Sequence, residues 1–530
     1  MPTAPREDLR KRERPWPLAF LVFVVAVAFY GGLAVQTGLH NSPVWNGPGR
    51  PEALVAARAK VDSETPSTAL SSTEWDAFPA WMQLLAKVGS PRYAFGSNSM
   101  SEACEEYALM PASYKVGLSA HMALGGLCVT LGLFQFWPWF RKKYPRAHRR
   151  MGAVYMGAAC VAMAMSARHL LRAGPEHTYQ GFTFYVGLWL LVFGVLLALA
   201  AATRSLWKRD LRRHLGWQAI GYGLLLTAPV QRYDWIVLGG MYPEMQQGTL
   251  NHGVNVALLW QCLVLAYGLF LWNRSSSPRR GTSAGPSGQE PEASLGAGGG
   301  VAKVADGAPR TQEWWRTGPL VLWALAWGAL LFLADRAPSL GGNGAARNLV
   351  PASVVSLDNQ VVGASPWRWV FLGAVFVAWA GARWASRKEA EPAPGAAALT
   401  YAAALVAGGI AVTWGWTLGR PATASLLGGT FYGLCGGSLM AFASAAAWAQ
   451  FRGAHDLRRE WAEFLGSFCA APLYLHGFLG LFYVTNLVPD PYLAQGHGYE
   501  MAAAAALTTS MIRGFRAAIF GPCTEAHDIR

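Results

Sequence analysis

Residues 121–152 read HMALGGLCVTLGLFQFWPWFRKKYPRAHRRMG. The first part is an apolar helix with one histidine, His121, near its starting edge. It turns through an aromatic–proline corner, Phe136-Trp137-Pro138-Trp139-Phe140, into a dense basic turn of Arg141, Lys142, Lys143, Arg146, Arg149 and Arg150, with His148 where the next helix begins. An apolar helix, an aromatic belt and a basic cap, in that order, describe a span leaving a bilayer on its cytoplasmic side.

The rest of the chain repeats the theme. With 53% hydrophobic and 14% charged residues among 530, and 24 Trp, it is too apolar for an ordinary soluble globule. The formal charge of +14 sits in short turns at helix ends, which fits the positive-inside rule and excludes a nucleic-acid partner; the lipid bilayer is the partner expected. The seven Cys form no CxxC pair, and most lie inside apolar runs, so neither a disulfide framework nor a zinc site is expected from them.

The expected fold is all-α, a polytopic transmembrane helical bundle of about 12 spans in two six-helix halves, each span near the ~20 residues that cross a bilayer. The expected spans are 17–36, 114–138, 150–171, 181–203, 215–238 and 252–272, then 318–335, 367–385, 398–418, 425–449, 463–487 and 499–519. Five regions follow. They are a cytoplasmic tail with the first span (1–37), a non-cytoplasmic loop or cap (38–112), a five-span histidine-bearing membrane domain (113–273), a Gly/Ser/Pro-rich disordered cytoplasmic linker (274–316) and a second six-span half (317–530). The run from 17 is long for a signal peptide and reads as an uncleaved span. The basic turns place both termini in the cytoplasm.

Short matches point to a parallel duplication. Thr183-Phe184-Tyr185 recurs as Thr430-Phe431-Tyr432, Asp210-Leu211-Arg212-Arg213 as Asp456-Leu457-Arg458-Arg459, Trp217 as Trp461, and Ala228-Pro229 as Ala471-Pro472.

Histidines inside a membrane are costly and so point to function. At ~1.5 Å per residue, His148 and His169 lie about 30 Å apart along one span, one at each surface. His214 starts its span level with His148, while His121 and His252 lie in the outer half with His169. At ~100° per residue His121, Cys128 and Gln135 share one stripe, as do His214, Gln218, Tyr222, Pro229 and Arg232, beside Gly117, Gly125 and Gly132 where helices can approach closely. Neutral imidazoles paired from different helices at two depths are what bis-histidine haem iron needs, so His121, His148, His169, His214 and His252 are the expected ligands of haem b. Arg232, with Asp234 or Glu244 as its partner, is expected to meet a propionate or to play a structural part. Interfacial anchoring explains His148, His169 and His214 equally well, and interhelical hydrogen bonding explains His252. Glu463, Glu500 and Arg513 receive no role.

This pattern resembles a family of bacterial membrane proteins catalogued as domain of unknown function 2306. The resemblance rests on His121 in an apolar helix, on the turn His148-Arg149-Arg150-Met151-Gly152 with Tyr155, on His214-Leu215-Gly216-Trp217, and on Arg232. It covers about residues 114–272. The second half departs from the pattern, with Arg458 where the second turn would carry His, though Glu460 and Trp461 keep it. The resemblance implies a helical protein of the bacterial inner membrane. Electron transfer with a redox partner or quinone is the function expected from the histidines. The alternatives are a solute transporter, whose commonest twelve-span signature Gly-x-x-x-Asp-Arg-x-Gly is missing from the 140–150 turn, and a non-catalytic scaffold or sensor.

Overall fold

The computed structural model describes residues 18–40, 55, 56, 59–61, 75, 78, 80–178, 181–275, 356, 357, 359–386, 393–418, 426–489, 492 and 496–520. The expected seventh span, 318–335, and the linker beyond residue 275 lie outside the described residues, which hold helices and no strand.

Helix α1 (Leu18–His40) crosses first, and three short helices follow, α2 (Ala80–Val88), α3 (Pro91–Phe95) and α4 (Met100–Leu109). The five-span domain runs α5 (Ala112–Gln135), the short basic α6 (Pro138–Lys143), α7 (Pro145–Ala173), α8 (Gly181–Trp207), α9 (Leu211–Leu225), α10 (Thr227–Met241) and α11 (Gln247–Ser275). The second half runs α12 (Trp367–Ala385), α13 (Pro394–Leu418), α14 (Leu426–Phe451), α15 (His455–Cys469), α16 (Ala471–Thr485) and α17 (His497–Phe520). Seven of these, α1, α5, α7, α8, α11, α13 and α14, are long and apolar enough to cross a membrane, and α15 with α16 is apolar enough only as a pair, bent by 48°, which fits a broken span or a re-entrant loop. The other expected spans fall on α9 with α10, on α12 and on α17, which are broken or carry charge.

The span expected over 215–238 is two helices. α9 stops at Leu225, where the Leu226 N–H turns back to the carbonyls of Tyr222 and Gly223. Pro229, three residues into α10, has no N–H to continue the ladder, and Pro472 stands at the matching break between α15 and α16. The stripe begun by His214 therefore ends at Tyr222 and does not reach Arg232.

The duplication is visible in the helix ends. Trp207 and Phe451, Leu225 and Cys469, and Met241 and Thr485 are each 244 residues apart, and Ala173 and Leu418, like Ser275 and Phe520, are 245 apart. The turn after α8 repeats as well. Arg209 has φ +58° and its equivalent Gly453 has φ +67°, and the next N–H bonds back to Ser205 in one copy and to Ala449 in the other. The copies meet along α11 and α17, with α11 also packed on α14 and α17 on α8, so each half lends its last helix to the other.

Close approaches seat the neighbouring helices. Gly31 of α1 and Gly126 of α5 meet backbone to backbone, where a Cβ on Gly126 would come 2.7 Å from the Gly31 carbonyl oxygen. Gly132 lies flat against the Tyr222 ring, whereas Gly125 faces open space and takes no part. The described part of 38–112 is a cap with its own core, Phe78, Met82, Leu85, Tyr93 and Phe95 closing on Trp235, Leu250 and Val254. It is tied to the α10–α11 turn by Ser90 Oγ to the Pro243 carbonyl (3.1 Å) and by the Met100 N–H to Gln247 Oε1 (2.6 Å). Burial raises the Tyr93 hydroxyl well above its usual range, and it donates to the Trp235 carbonyl oxygen. The membrane face under this cap is the cap face; the opposite one, lined by Arg141–Lys143 and Arg212–Arg213, is the basic face.

Candidate functional site

At the basic face His148, three residues into α7, and His214, three into α9, are near enough to feel each other's charge. The α9 start is fixed by Asp210, whose Oδ1 accepts from the Arg213 N–H at 3.0 Å. His214 Nδ1 lies 3.0 Å from the Ala202 carbonyl oxygen of α8. A carbonyl can only accept, so Nδ1 carries a proton, and Nε2 is the nitrogen turned away from that bond. His148 Nδ1 is buried without a hydrogen-bond partner.

The cap face repeats the arrangement. His121 Nδ1 lies 3.0 Å from the Ala162 carbonyl oxygen of α7, which again leaves Nε2 as the nitrogen turned away from that bond. His169, further along α7, is within charge reach of His121, and its Nδ1 is also buried without a partner. Each face thus pairs one imidazole held by a carbonyl with one whose buried Nδ1 is unsatisfied. Between the two levels Tyr155, Tyr222 and Phe136 fill the core, with Phe136 stacked on Tyr222 at 5.3 Å. The polar stripe of α5 faces α7, with Cys128 against the Tyr155 carbonyl and Gln135 against Gly152.

Arg232 is not paired with Asp234 or Glu244. Its guanidinium lies beside the stacked indoles of Trp81 and Trp235, 5.5 and 5.1 Å from their centres, and donates to Gln231 Oε1 at 3.0 Å. Asp234 instead accepts from Gln261. Arg232 does lie within charge reach of His121.

His252 does not join His121 and His169. Equal height is not lateral proximity: α11 turns this residue toward α17, at the seam between the halves. His252 Nδ1 is 3.1 Å from Glu500 Oε2, and His497 Nδ1 is 3.3 Å from the same oxygen. Asn255 Nδ2 donates to Glu500 Oε1 at 3.0 Å, and Thr183 Oγ1 lies 2.6 Å from His497 Nδ1. Glu500 is 1% exposed and His497 3%, while about a third of the His252 side chain is open. A second polar shell continues behind, with Gln231 Nε2 donating to Asn251 Oδ1, which also accepts from Trp235 Nε1. Sequence reasoning missed His497 and left Glu500 without a role. The signal that finds them is the duplication, since His497 stands 245 residues after His252, the offset of the helix ends that bear them.

The second half has no matching histidine pairs. Counted back from the helix ends, His121 and His169 correspond to Phe371 and Trp414, whose rings pack 5.0 Å apart. His214 corresponds to Arg458, which is 1% exposed and donates to Gln450 Oε1 at 2.9 Å.

No curated protein and no solved structure matches the chain. A family match does exist, and it spans α5 to α11, the helices that carry both histidine pairs. Residues 118–266 match the family described as Predicted membrane protein (DUF2306).

Proposed function

We propose that the five-span domain is a b-type cytochrome that carries electrons between the two membrane faces, with His148 and His214 ligating one haem and His121 and His169 the other. The observation that carries this reading is the pairing itself, repeated at opposite ends of α7 with one imidazole of each pair held by a carbonyl through Nδ1. Such second-shell hydrogen bonds orient ligating imidazoles and fix their tautomer. His148 and His169, each with a buried Nδ1 that makes no hydrogen bond, supply the second ring of each pair. Bound haem would supply reversible one-electron chemistry. The chain's own part is to hold the rings, exclude water with the Tyr155–Tyr222–Phe136 core, and set Arg232 near the cap-face pair, where it would meet a propionate. On this reading the basic face is cytoplasmic in the bacterial inner membrane, and a redox protein or quinone takes or gives the electron.

The test is the absorption spectrum of detergent-purified full-length protein after haem supply. A Soret band with a reduced-minus-oxidised α-band, lost in part in His148→Ala and in part in His121→Ala, is the expected result. Protein that folds as a monodisperse species and shows neither band ends the cytochrome reading.

A further inference from the structure

The polar cluster at the seam takes no part in that reading. Two imidazole nitrogens from pseudo-equivalent positions converge on one carboxylate oxygen, at 3.1 and 3.3 Å, and the three donor atoms all lie within 4.8 Å of one another. Bond lengths of ~2.0–2.1 Å to a tetrahedral ion place neighbouring ligands about 3.3–3.5 Å apart, close to the two nitrogen–oxygen spacings found.

We propose that His252, His497 and Glu500 form a binding site for a divalent transition metal of the zinc class, bridging the two halves at the cap face. The donor set argues for the class. Two imidazoles and one carboxylate suit a borderline ion, whereas calcium and magnesium take oxygen donors. The neighbours argue that the site is built. Asn255 holds the second carboxylate oxygen, and Gln231 in turn lies 3.4 Å from Asn255 Oδ1. Outer partners of this kind orient ligands. Three protein ligands leave a fourth position, and His252, the one partly open ligand, marks the side from which an ion or a water reaches it. A metal here would tie α11 to α17 and so link the histidine-bearing half to the other.

The experiment uses full-length protein without a polyhistidine tag, stripped with a chelator in detergent, with Zn2+ as the probe and a chromophoric chelator as competitor. One tight equivalent per chain is expected. Glu500→Gln and His252→Gln should each weaken it at least 100-fold, and Asn255→Ala by about 10–100-fold. Glu500 is buried, so His252→Gln at the partly open rim serves as the variant that keeps the fold, checked by gel filtration and thermal melting. The tight equivalent must survive in His121→Ala and His148→Ala, which separates this site from the haem ligands. Wild-type protein that takes up no stoichiometric zinc at micromolar concentrations, or His252→Gln and Glu500→Gln proteins that bind as wild type does, would overturn the proposal and leave a hydrogen-bonded cluster.

Discussion

Helices α7 and α8 of the first half touch only sparsely, whereas their counterparts α13 and α14 are pressed together along glycines. A Cβ on Gly436 would stand 2.6 Å from the Gly408 carbonyl oxygen, and Gly415 meets Gly433 in the same way. The first half carries the four paired histidines; the second has Phe371 on Trp414 at the cap-face positions and a buried Arg458 at the His214 position. At matching helix positions one half therefore carries titratable rings, and the other carries apolar rings and a buried arginine in close packing. At the seam both halves contribute a histidine, His252 from one and His497 from the other.

The sharpest way to break this comparison is spectroscopic. Double substitution of His148 and His214 by Ala should abolish the basic-face haem signal altogether, while Arg458→Ala and Trp414→Ala leave the spectrum unchanged. Equal losses from either half would mean that the second copy is not a packing copy. Next in size is Trp414→Ala itself, which should cost about 3–5 kcal/mol because it empties a buried indole site beside Phe371. His169→Ala, at the matching place, removes a smaller and partly open ring and should cost clearly less. Reversible unfolding in mixed micelles measures both.

The seam supplies a third contrast. At the basic face Glu460 of α15 accepts from Tyr267 at 2.5 Å and pairs with Arg274 at 2.7 Å, both on α11. The equivalent positions in the other copy are Gly216 and Ile519, in direct apolar contact. Glu460→Ala strands a buried tyrosine hydroxyl and an arginine. The expected loss is about 2–3 kcal/mol, below the ~3–5 of a fully buried pair because Arg274 keeps a quarter of its surface. Glu460→Gln, which still accepts from Tyr267, should lose less. If the two variants lose equally, the charge rather than the hydrogen bond holds α15 to α11.

Much of this architecture can be read from residue order, for a physical reason. A bilayer demands runs of about 20 apolar residues, and basic turns announce which helix ends share a face. That was enough to place α5, α7, α8 and α11, to set the cap on the face opposite the basic turns, and to level His148 with His214. Height along a helix is fixed by counting; the neighbour a side chain meets is fixed by packing. His252 shows the difference, since its level is that of His169 while its partners come from a helix 245 residues away. The break at Leu226 was written in Pro229, but a proline in a membrane span more often kinks it than ends it. Glu500 receives no role from the sequence because nothing local marks a carboxylate that two distant imidazoles will enclose.

The smallest effect tests the duplication where chemistry plays no part. Arg209 and Gly453 occupy the same left-handed position, φ +58° and +67°, in the turns that start α9 and α15. Only glycine adopts that conformation freely, and an L-residue pays roughly 1–2 kcal/mol for it. If the turns are true equivalents, Gly453→Ala should destabilise the protein by about 1 kcal/mol once the entropy that glycine loses on folding is credited. Arg209→Gly should stabilise by a similar or smaller amount, since nothing else in the Ser205–Asp210 bond depends on the arginine side chain. The pair of melts has a definite sign in each copy. Opposite signs of comparable size mean that the backbone of the turn is shared and only its side chain has drifted. A neutral Gly453→Ala would mean that this turn relaxes out of the left-handed region, and the match of φ angles would then carry no common ancestry.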